Sequence, residues 1–367
     1  MLFLKIVAIV ISLLYSVSSL FYATTLTVNA QSDLQTIKYR NLVIDLGNGL
    51  KTNARLNLPA TGDGPFPAVL LIPGSGPVDM NETIGAVRID NDTGSIIYPP
   101  SRAFFEIAQY LSERGFAVLQ YDKRGVGANS TIRDLSIWGN VTFNDLKQDS
   151  EKALDVLVQQ PEVDANHVTL VGHSEGTMIA PRVAIDNPGK VDNIVLMGAV
   201  AQNLRKMGYF QGVTLPVLYA QQVLDHNHNG LLSVQEASEN PVFSSIIGKN
   251  ITLLLTQNIT AANGTTAGQQ LLPQYNMNND TFISINDELK PRLIDFLKSL
   301  SVVTPGEKCT PDNLACPTWV ASHYSLIPTL DIISKVPSDT SILIQQGKMI
   351  QTHPYSKHFF YNKNSLK

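Results

Sequence analysis

The stretch His167-Val-Thr-Leu-Val-Gly-His-Ser-Glu-Gly-Thr-Met178 decides the fold. It starts with a short apolar run typical of a strand buried on both faces, and it ends in a helical pattern that continues to Asp186. Between the two lies the G-x-S-x-G sequence of residues 172–176, a turn so tight that only small residues fit two positions before and after the serine. Because such a turn lifts the hydroxyl of Ser174 above the carboxyl edge of a sheet, the sequence predicts a nucleophile for acyl transfer.

On both sides of this stretch, strand-like and helical segments alternate. Strand-like runs occupy residues 66–73, 116–122, 167–172, 193–198 and 341–346, and helical patterns occupy residues 101–114, 143–160 and 174–186. Two further runs, 35–45 and 51–59, flank Gly47-Asn48-Gly49 and predict a hairpin. The alternation predicts an α/β fold with a mostly parallel central sheet and helices on both faces. Residues 200–326 contain no comparable strand, which predicts an inserted, mainly helical cap.

The composition excludes some classes of protein. Among 367 residues, 44% are hydrophobic and 16% are charged, so the chain has ample material for a buried core. The net charge is −4, and no basic run supplies the electrostatic footprint that nucleic-acid binding needs. We therefore expect no nucleic-acid partner. The sequence does not determine the oligomeric state.

Two backbone N–H groups are candidates for an oxyanion hole. The N–H of Glu175 stands at the predicted helix N-terminus, where unpaired amides stabilise negative charge. A second donor is expected from the loop Pro73-Gly-Ser-Gly-Pro77 after an earlier buried strand, with Ser75 as the first candidate and Gly76 as the second. The alternative for this loop is an ordinary glycine-rich turn.

Three segments together resemble the α/β-hydrolase fold, in its secreted esterase or serine-aminopeptidase (S33)-like branch. They are Leu70–Pro77, Tyr121–Ala128 and Gly172–Gly176. The resemblance implies a hydrolase that cleaves a carboxylic ester or amide of a small molecule or peptide through Ser174. It also implies that residues 122–125 form a structural turn near the site.

The same resemblance places a triad acid after the strand 341–346 and a histidine after a later strand. Residues 348–367 contain neither an aspartate nor a glutamate. We therefore expect this chain to be catalytically impaired, and a non-catalytic pocket-binding protein of the same fold is the alternative. Replacement of the base by His323, His353 or His358 is disfavoured, because a base needs hydrogen-bond reach and an orienting acid. His173 is interpreted as a packed residue of the turn.

The codons of Met349 and Ile350 offer an explanation for the missing acid. Read one base earlier, they contain GAT, an aspartate codon, whichever isoleucine codon is used, and we hypothesise a frameshift from about Lys348 onward. The predicted divisions of the chain are residues 1–30 as a signal peptide or membrane anchor, 31–199 as the first part of the hydrolase core, 200–326 as the cap, 327–347 as the return to the core and 348–367 as an aberrant tail.

A calcium-binding loop is predicted within the cap. Residues 225–236 match D-x-[DN]-x-[DN]-G-x₅-E at every constrained position. The expected ligands are side-chain oxygens and one backbone carbonyl, from Asp225, Asn227, Asn229, Leu231, Ser233 and Glu236. With only two charged ligands, the site should bind Ca²⁺ weakly, at roughly 10⁻⁴–10⁻³ M, as a structural ion. The alternative is a polar turn without metal.

Three features favour export. Residues 1–30 have a lysine, an apolar run and small residues before Gln31, as in a cleaved signal peptide, although the apolar stretch is also compatible with a membrane anchor. Eight Asn-x-Thr sequons are present. Cys309 and Cys316 would close a small disulfide loop in an oxidising compartment, with two buried thiols as the alternative. We expect a secreted or extracytoplasmic protein.

Overall fold

The structure is a computed structural model that describes residues 37–84, 101–239, 242–245, 251–260, 266–301, 308–310 and 316–346. The predicted signal or anchor segment and the predicted aberrant tail, with His353 and His358, lie outside the described residues. Among the described residues, no helix is long and apolar enough to span a bilayer. The described residues up to Ala201, with those from Ile327 on, form one compact unit, and those from Gln202 to Leu326 form a second.

The strands and helices of the two units are numbered in chain order. The strands are β1 (Ile37–Gly47), β2 (Leu50–Pro59), β3 (Phe66–Ile72), β4 (Thr83–Ile84), β5 (Ser101–Arg102), β6 (Ala117–Tyr121), β7 (Val126–Gly127), β8 (Thr131–Ile132), β9 (Val163–His173), β10 (Asn193–Met197), β11 (Leu231–Ser233), β12 (Val242–Ser245), β13 (Ile251–Leu254), β14 (Thr256–Thr260), β15 (Thr266–Leu271), β16 (Phe282–Ser284) and β17 (Ser341–Gln345). The α-helices are α1 (Ala103–Ser112), α2 (Leu135–Trp138), α3 (Phe143–Val158), α4 (Gly176–Asp186), α5 (Leu204–Tyr209), α6 (Leu215–Tyr219), α7 (Val234–Glu239), α8 (Lys290–Ser301), α9 (Pro317–Tyr324) and α10 (Thr329–Ile332). Short 3₁₀ turns span Ala128–Ser130 and Ile333–Lys335, and π-helical turns span Phe210–Thr214, Ala220–Leu224 and Ile285–Leu289.

A seven-stranded sheet organises the first unit, in the order β1-β2-β6-β3-β9-β10-β17. β2 pairs antiparallel with β1 and with β6, and the remaining neighbours are parallel. Parallel neighbours need crossover connections, which α1, α3 and α4 provide between β3 and β6, β6 and β9, and β9 and β10. The predicted hairpin and the predicted α/β fold are confirmed.

The helices of the first unit form where the sequence has apolar residues at helical spacing or capping residues at a helix end. Along α1, the buried residues Phe104, Ile107, Ala108 and Leu111 follow helical spacing and pack with β3 residues such as Val69 in one apolar cluster. The N-terminus of α3 is fixed by a capping box, in which the Thr142 hydroxyl accepts from the N–H of Asp145 and the Asp145 carboxylate accepts from the N–H of Thr142.

The second unit has its own apolar core and contains more than helices. Three two-stranded antiparallel sheets, β11 with β16, β12 with β13 and β14 with β15, accompany the helices. The sequence did not predict these strands, because runs of three to six residues are too short to show a clear period-two pattern. Leu232, Leu255 and Ile283 are fully buried in the core of this unit. Cys309 and Cys316 form a disulfide, which confirms the predicted pairing.

Candidate active site

Ser174 stands at the turn between β9 and α4. Its backbone has a φ of 49°, a left-handed conformation that is uncommon for residues other than glycine. The N–H of Ser174 donates to the carbonyl of Met197 at 2.9 Å, and its carbonyl accepts from the N–H of Thr177 at the same distance. Local strain of this kind, held by surrounding hydrogen bonds, is typical of functional positions. The strand-to-helix turn around Ser174 is therefore present, as the sequence predicts.

The two glycines of the G-x-S-x-G sequence have no room for a side chain. A Cβ at Gly172 would lie 2.3 Å from the carbonyl oxygen of Gly176, and a Cβ at Gly176 would lie 2.1 Å from the carbonyl oxygen of Ile72. Both obstacles are backbone atoms, so a flexible side chain cannot move aside. The tightness of the turn itself thus requires glycine at 172, and the close approach of the turn to β3 requires it at 176.

The loop after β3 lies beside this turn. A Cβ placed on Gly74 would be 3.3 Å from the Cβ of Ser174, so the loop and the serine are immediate neighbours. The structure places Ser75 at an exposed position of the loop and Glu175 in a buried position at the start of α4. The loop and the turn that carry the two predicted oxyanion donors are therefore adjacent, while the assignment of Ser75 and Glu175 as donors stays a prediction.

Lys123 connects the two sides of the site. The family resemblance places it in a turn near the site but does not predict its contacts. Its side chain is 2% exposed, and its ammonium group contacts the carboxylate of Glu175 at 2.6 Å. The same ammonium donates to the carbonyl of Gly74 at 2.5 Å and to that of Gly76 at 3.2 Å. Because one cation binds both the loop after β3 and Glu175, the residue after the serine, Lys123 positions the site. No local sequence pattern predicts this role, because the partners of Lys123 are about fifty residues away in the chain.

The turn that carries Lys123 is itself anchored, as the family resemblance implied. The guanidinium of Arg124 donates to both carboxylate oxygens of Asp149, at 2.6 and 2.8 Å, and to Asp145 at 2.8 Å. The carboxylate of Asp122 accepts from the N–H of Met80 at 2.8 Å. Bidentate pairing fixes both distance and orientation, so the turn is held against α3 and against the loop after β3.

Glu82 and His173 also stabilise the loop after β3. The Glu82 carboxylate is 2% exposed and accepts from the N–H of Gly74 at 2.7 Å, and the same oxygen is 2.7 Å from Nδ1 of His173. Burial alone would lower the pKa of His173, but the hydrogen bond and charge of Glu82 outweigh it and raise this pKa above 6.5. His173 is thus packed in the turn, as expected. It also contacts Glu82, which in turn holds the N–H of Gly74 in the loop after β3.

We expect a Glu82→Gln variant to lose a pH-dependent part of its stability. A histidine whose pKa is raised by folding contributes stability that is fully present below about pH 6.5 and is lost as the pH rises through the raised pKa. The difference in unfolding free energy between wild type and variant should therefore shrink as the pH increases from about 5.5 to about 9. Urea unfolding across this range measures it. The same substitution in a His173→Asn background should give a difference independent of pH, and a constant difference in the wild-type background would contradict the assignment.

His323 does not resemble a general base in this structure. It is 1% exposed, its Nδ1 lies 2.8 Å from the carbonyl of Trp319 on its own helix α9, and its ring packs on the Trp319 ring with centroids 4.0 Å apart. These contacts are those of a core histidine of the second unit.

The predicted calcium loop is a compact turn in the second unit. Asp225 and Glu236, its charged members, are 4% and 7% exposed. The Asp225 carboxylate accepts from the N–H of Gly230 at 2.8 Å, and the Glu236 carboxylate accepts from the N–H of Ser233 at 3.0 Å. Burial would raise the pKa of Glu236, but the hydrogen bonds from Ser233 and His226 outweigh it and lower this pKa, so the carboxylate is charged. Asn227 and Asn229, at exposed positions, accept from the N–H groups of Asn229 and Leu231, so hydrogen bonds within the loop hold the predicted ligands on one turn.

Comparison with known proteins identifies relatives that are similar to part of this chain. A family model described as serine aminopeptidase, S33, matches residues 100–245. Esterase EstD of Thermotoga maritima is 33% identical over 160 residues, which are 44% of this chain and 32% of that protein. The acylamino-acid-releasing enzyme of Homo sapiens is 32% identical over 115 residues, which are 31% of this chain and 15% of that enzyme. The chain thus spans a third or less of the length of these two relatives.

A solved structure can be compared over most of the chain. The α/β hydrolase GrgF from Penicillium sp. sh18 is 14% identical and superimposes with a TM-score of 0.42, covering 84% of this chain and 79% of that one. The residues that the family model matches include Tyr121–Ala128 and Gly172–Gly176.

Proposed function

We propose that this chain, which belongs to the α/β hydrolases of the esterase and serine-aminopeptidase-like kind, is an exported serine hydrolase that cleaves a carboxylic ester or amide through Ser174. The observation that carries the proposal is the left-handed turn at Ser174, closed by two glycines without room for a side chain and placed beside the loop after β3. In this arrangement the hydroxyl attacks the carbonyl carbon, and the N–H groups of Glu175 and Ser75 stabilise the oxyanion that forms.

Export and impairment are part of the same proposal. The pattern of residues 1–30 and the disulfide between Cys309 and Cys316 support an oxidising compartment. The absence of carboxylates from residues 348–367 supports a chain that lacks the triad acid where the fold supplies it. Without the other triad members, a serine hydrolase retains only about 10³–10⁴-fold catalysis over water from its oxyanion hole and binding.

A fluorophosphonate probe tests the role of Ser174, because such probes react with an activated serine. We expect slow labelling of the wild-type chain, with the modified peptide containing Ser174, and no labelling of Ser174→Ala. A Ser325→Ala variant, altered at an exposed serine of the second unit, should label like the wild type. A chain expressed in the frame that restores an aspartate after Gly347 and a later histidine should label faster.

Two outcomes would contradict parts of the proposal. If neither the wild-type nor the frame-restored chain reacts, the protein is a non-catalytic pocket-binding member of the same fold. If the gene, sequenced across the Gly347 codon, has no downstream frame with a strand and a histidine, the frameshift hypothesis is wrong. In that case the impairment is a property of the natural protein.

We also propose that the loop of residues 225–236 binds one Ca²⁺ ion that rigidifies the second unit. The ligands are those predicted from the sequence, with Asp225 and Glu236 supplying the charge. The burial of Asp225 and Glu236, whose carboxylates accept hydrogen bonds from N–H groups of the same loop, supports this assignment.

A further inference from the structure

The loop of residues 276–288 repeats the internal contacts of the predicted calcium loop, 225–236. In both, a side-chain oxygen at the third position accepts from the N–H of the fifth residue, and one at the fifth position accepts from the N–H of the seventh. In the first loop these bonds join Asn227 to Asn229 at 3.0 Å and Asn229 to Leu231 at 2.8 Å; in the second they join Asn278 to Asp280 at 3.1 Å and Asp280 to Phe282 at 2.7 Å. The fourth residue of each, His228 and Asn279, has a positive φ.

Each loop is also closed by a buried glutamate that bridges the same two backbone positions. One oxygen accepts from the N–H of the second residue and the other from the N–H of the ninth. The distances are 3.2 Å from His226 and 3.0 Å from Ser233 to Glu236, and 2.8 Å from Met277 and 2.7 Å from Ser284 to Glu288. Glu288 is 6% exposed and therefore occupies the place that Glu236 has in the first loop.

Three differences explain why the second loop does not match the sequence motif: Asn276 stands where the motif has Asp, Thr281 stands where it has Gly, and the closing glutamate is displaced by one residue. Glu236 is the twelfth residue of its loop, whereas Glu288 is the thirteenth, and the twelfth is Asp287. The helix after the second loop begins with the π-helical turn Ile285–Leu289, which adds one residue to the turn and brings Glu288 into the closing position. Asp287 is exposed and instead contacts the hydroxyl of Ser284 at 2.9 Å.

The two loops form one structural pair. β11 of the first loop and β16 of the second pair antiparallel, with Leu232 opposite Ile283, and both of these side chains are fully buried. The N–H of Ile285 also donates to the carbonyl of Gly230 at 3.0 Å. The backbones of the loops are therefore held together at their centres.

The first residue of the second loop carries an independent sign of a missing ligand. Asn276 is 8% exposed, and its amide nitrogen donates across the loop to the carbonyl of Asp280 at 2.7 Å. Its Oδ1 is buried and has no hydrogen-bond partner among the described residues. Buried polar oxygens are rarely left unpaired, because burial removes their hydrogen bonds to water. Oδ1 occupies the loop position from which Asp225 is expected to bind its ion.

We infer that the loop of residues 276–288 is a second calcium site, paired with the first. Its oxygen ligands come from the side chains of Asn276, Asn278, Asp280 and Glu288 and from the carbonyl of Phe282. Calcium accepts six to eight oxygens and tolerates amide and carbonyl ligands, whereas Mg²⁺ demands a tighter octahedron. No cluster of three or more His, Cys, Asp and Glu side chains occurs among the described residues, so amide and carbonyl oxygens are essential to this site. The inference is independent of the role of Ser174.

Isothermal titration of the EGTA-treated, dialysed full chain with CaCl₂ tests the inference. We expect two ions per chain for the wild type and one each for Glu236→Gln and Glu288→Gln. Asp287→Asn is the matched control, because it removes the carboxylate that strict motif spacing would choose, and it should keep two ions. Circular dichroism confirms that each variant is folded.

If Glu288→Gln does not fold, a variant with a higher affinity for calcium tests the second site instead. Asn276→Asp adds a charged oxygen at the first position, and the dissociation constant of one of the two sites should fall about tenfold, since affinity rises with ligand charge. One ion for the wild type, lost in Glu236→Gln and unaffected by Asn276→Asp, would overturn the second site and leave the first. One ion lost only in Glu288→Gln would instead overturn the first site, and no binding would overturn both.

Discussion

We expect the Lys123→Met variant to lose about 3–5 kcal/mol of unfolding free energy, the usual cost of removing one partner of a buried ion pair. Lys123 and Glu175 are 2% and 1% exposed, so the substitution would remove the cation from a carboxylate that is shielded from water. The carbonyl of Gly74 would lose its bond from Lys123 as well, whereas the carbonyl of Gly76 would keep its hydrogen bond from the N–H of Val78. Urea unfolding at neutral pH measures the loss.

Two further variants show whether the buried charge causes this loss. Lys190→Met removes a lysine from an ion pair with Asp155 whose side chains are nearly half exposed, and it should cost less than about 1 kcal/mol. The double variant Lys123→Met, Glu175→Met leaves no unpaired charge and should recover most of the stability, because apolar replacements of buried pairs are often neutral. A double variant as unstable as Lys123→Met would show that the loop contacts, rather than the charge, dominate.

We expect the Gly176→Ala variant to lose about 3 kcal/mol or more, at the upper end of the cost of overpacking a core. Helix propensity alone would favour alanine by about 1 kcal/mol, since Gly176 is the first residue of α4. The new Cβ, however, would stand 2.1 Å from the carbonyl oxygen of Ile72, and only a backbone shift can relieve this contact. The shift would move Ser174 and slow its labelling, since even about 1 Å of displacement costs about a hundredfold in rate.

Gly189→Ala is the matched control for this variant. Gly189 has a φ of 78° but no atom within 4 Å of the position of a Cβ, so alanine there adds backbone strain without a collision. The expected cost is about 1–2 kcal/mol, with no change in the labelling of Ser174. Equal losses for the two variants, measured by thermal or urea unfolding, would contradict the steric explanation.

The parts of the fold that were predicted from the sequence are those with local signals. The strands from Phe66, Ala117 and Asn193 are short apolar runs, and the turn at Ser174 has its glycines within two residues, so each could be identified from a window of a few residues. The strands of the second unit gave no such signal. They are only three to six residues long, and the pairing of β11 with β16 joins segments about fifty residues apart.

The candidate site was predicted less completely for the same reason. Ser174 is defined by its own turn, but Lys123 reaches Gly74 from 49 residues along the chain and Glu82 contacts His173 from 91 residues away, and nothing in the sequence around them shows these contacts. The second loop, ending at Glu288, was missed because Asn276 and Thr281 depart from the motif and an extra residue in a π-helical turn displaces its glutamate, although the hydrogen bonds are preserved. A sequence pattern records spacing, whereas the contacts tolerate an insertion.

The peptide groups on both sides of Gly74 have a consequence for how the protein folds. The carbonyl of Gly74 is held by Lys123 and its N–H by Glu82, and Glu82 in turn contacts His173. These anchors lie in three segments that meet only after β3, β6 and β9 have aligned. Contacts of such long sequence separation form slowly, because the chain must close large loops before they yield any stabilisation. Reactivity of Ser174 during refolding should therefore appear after the sheet has formed, which makes it a reporter of completed folding.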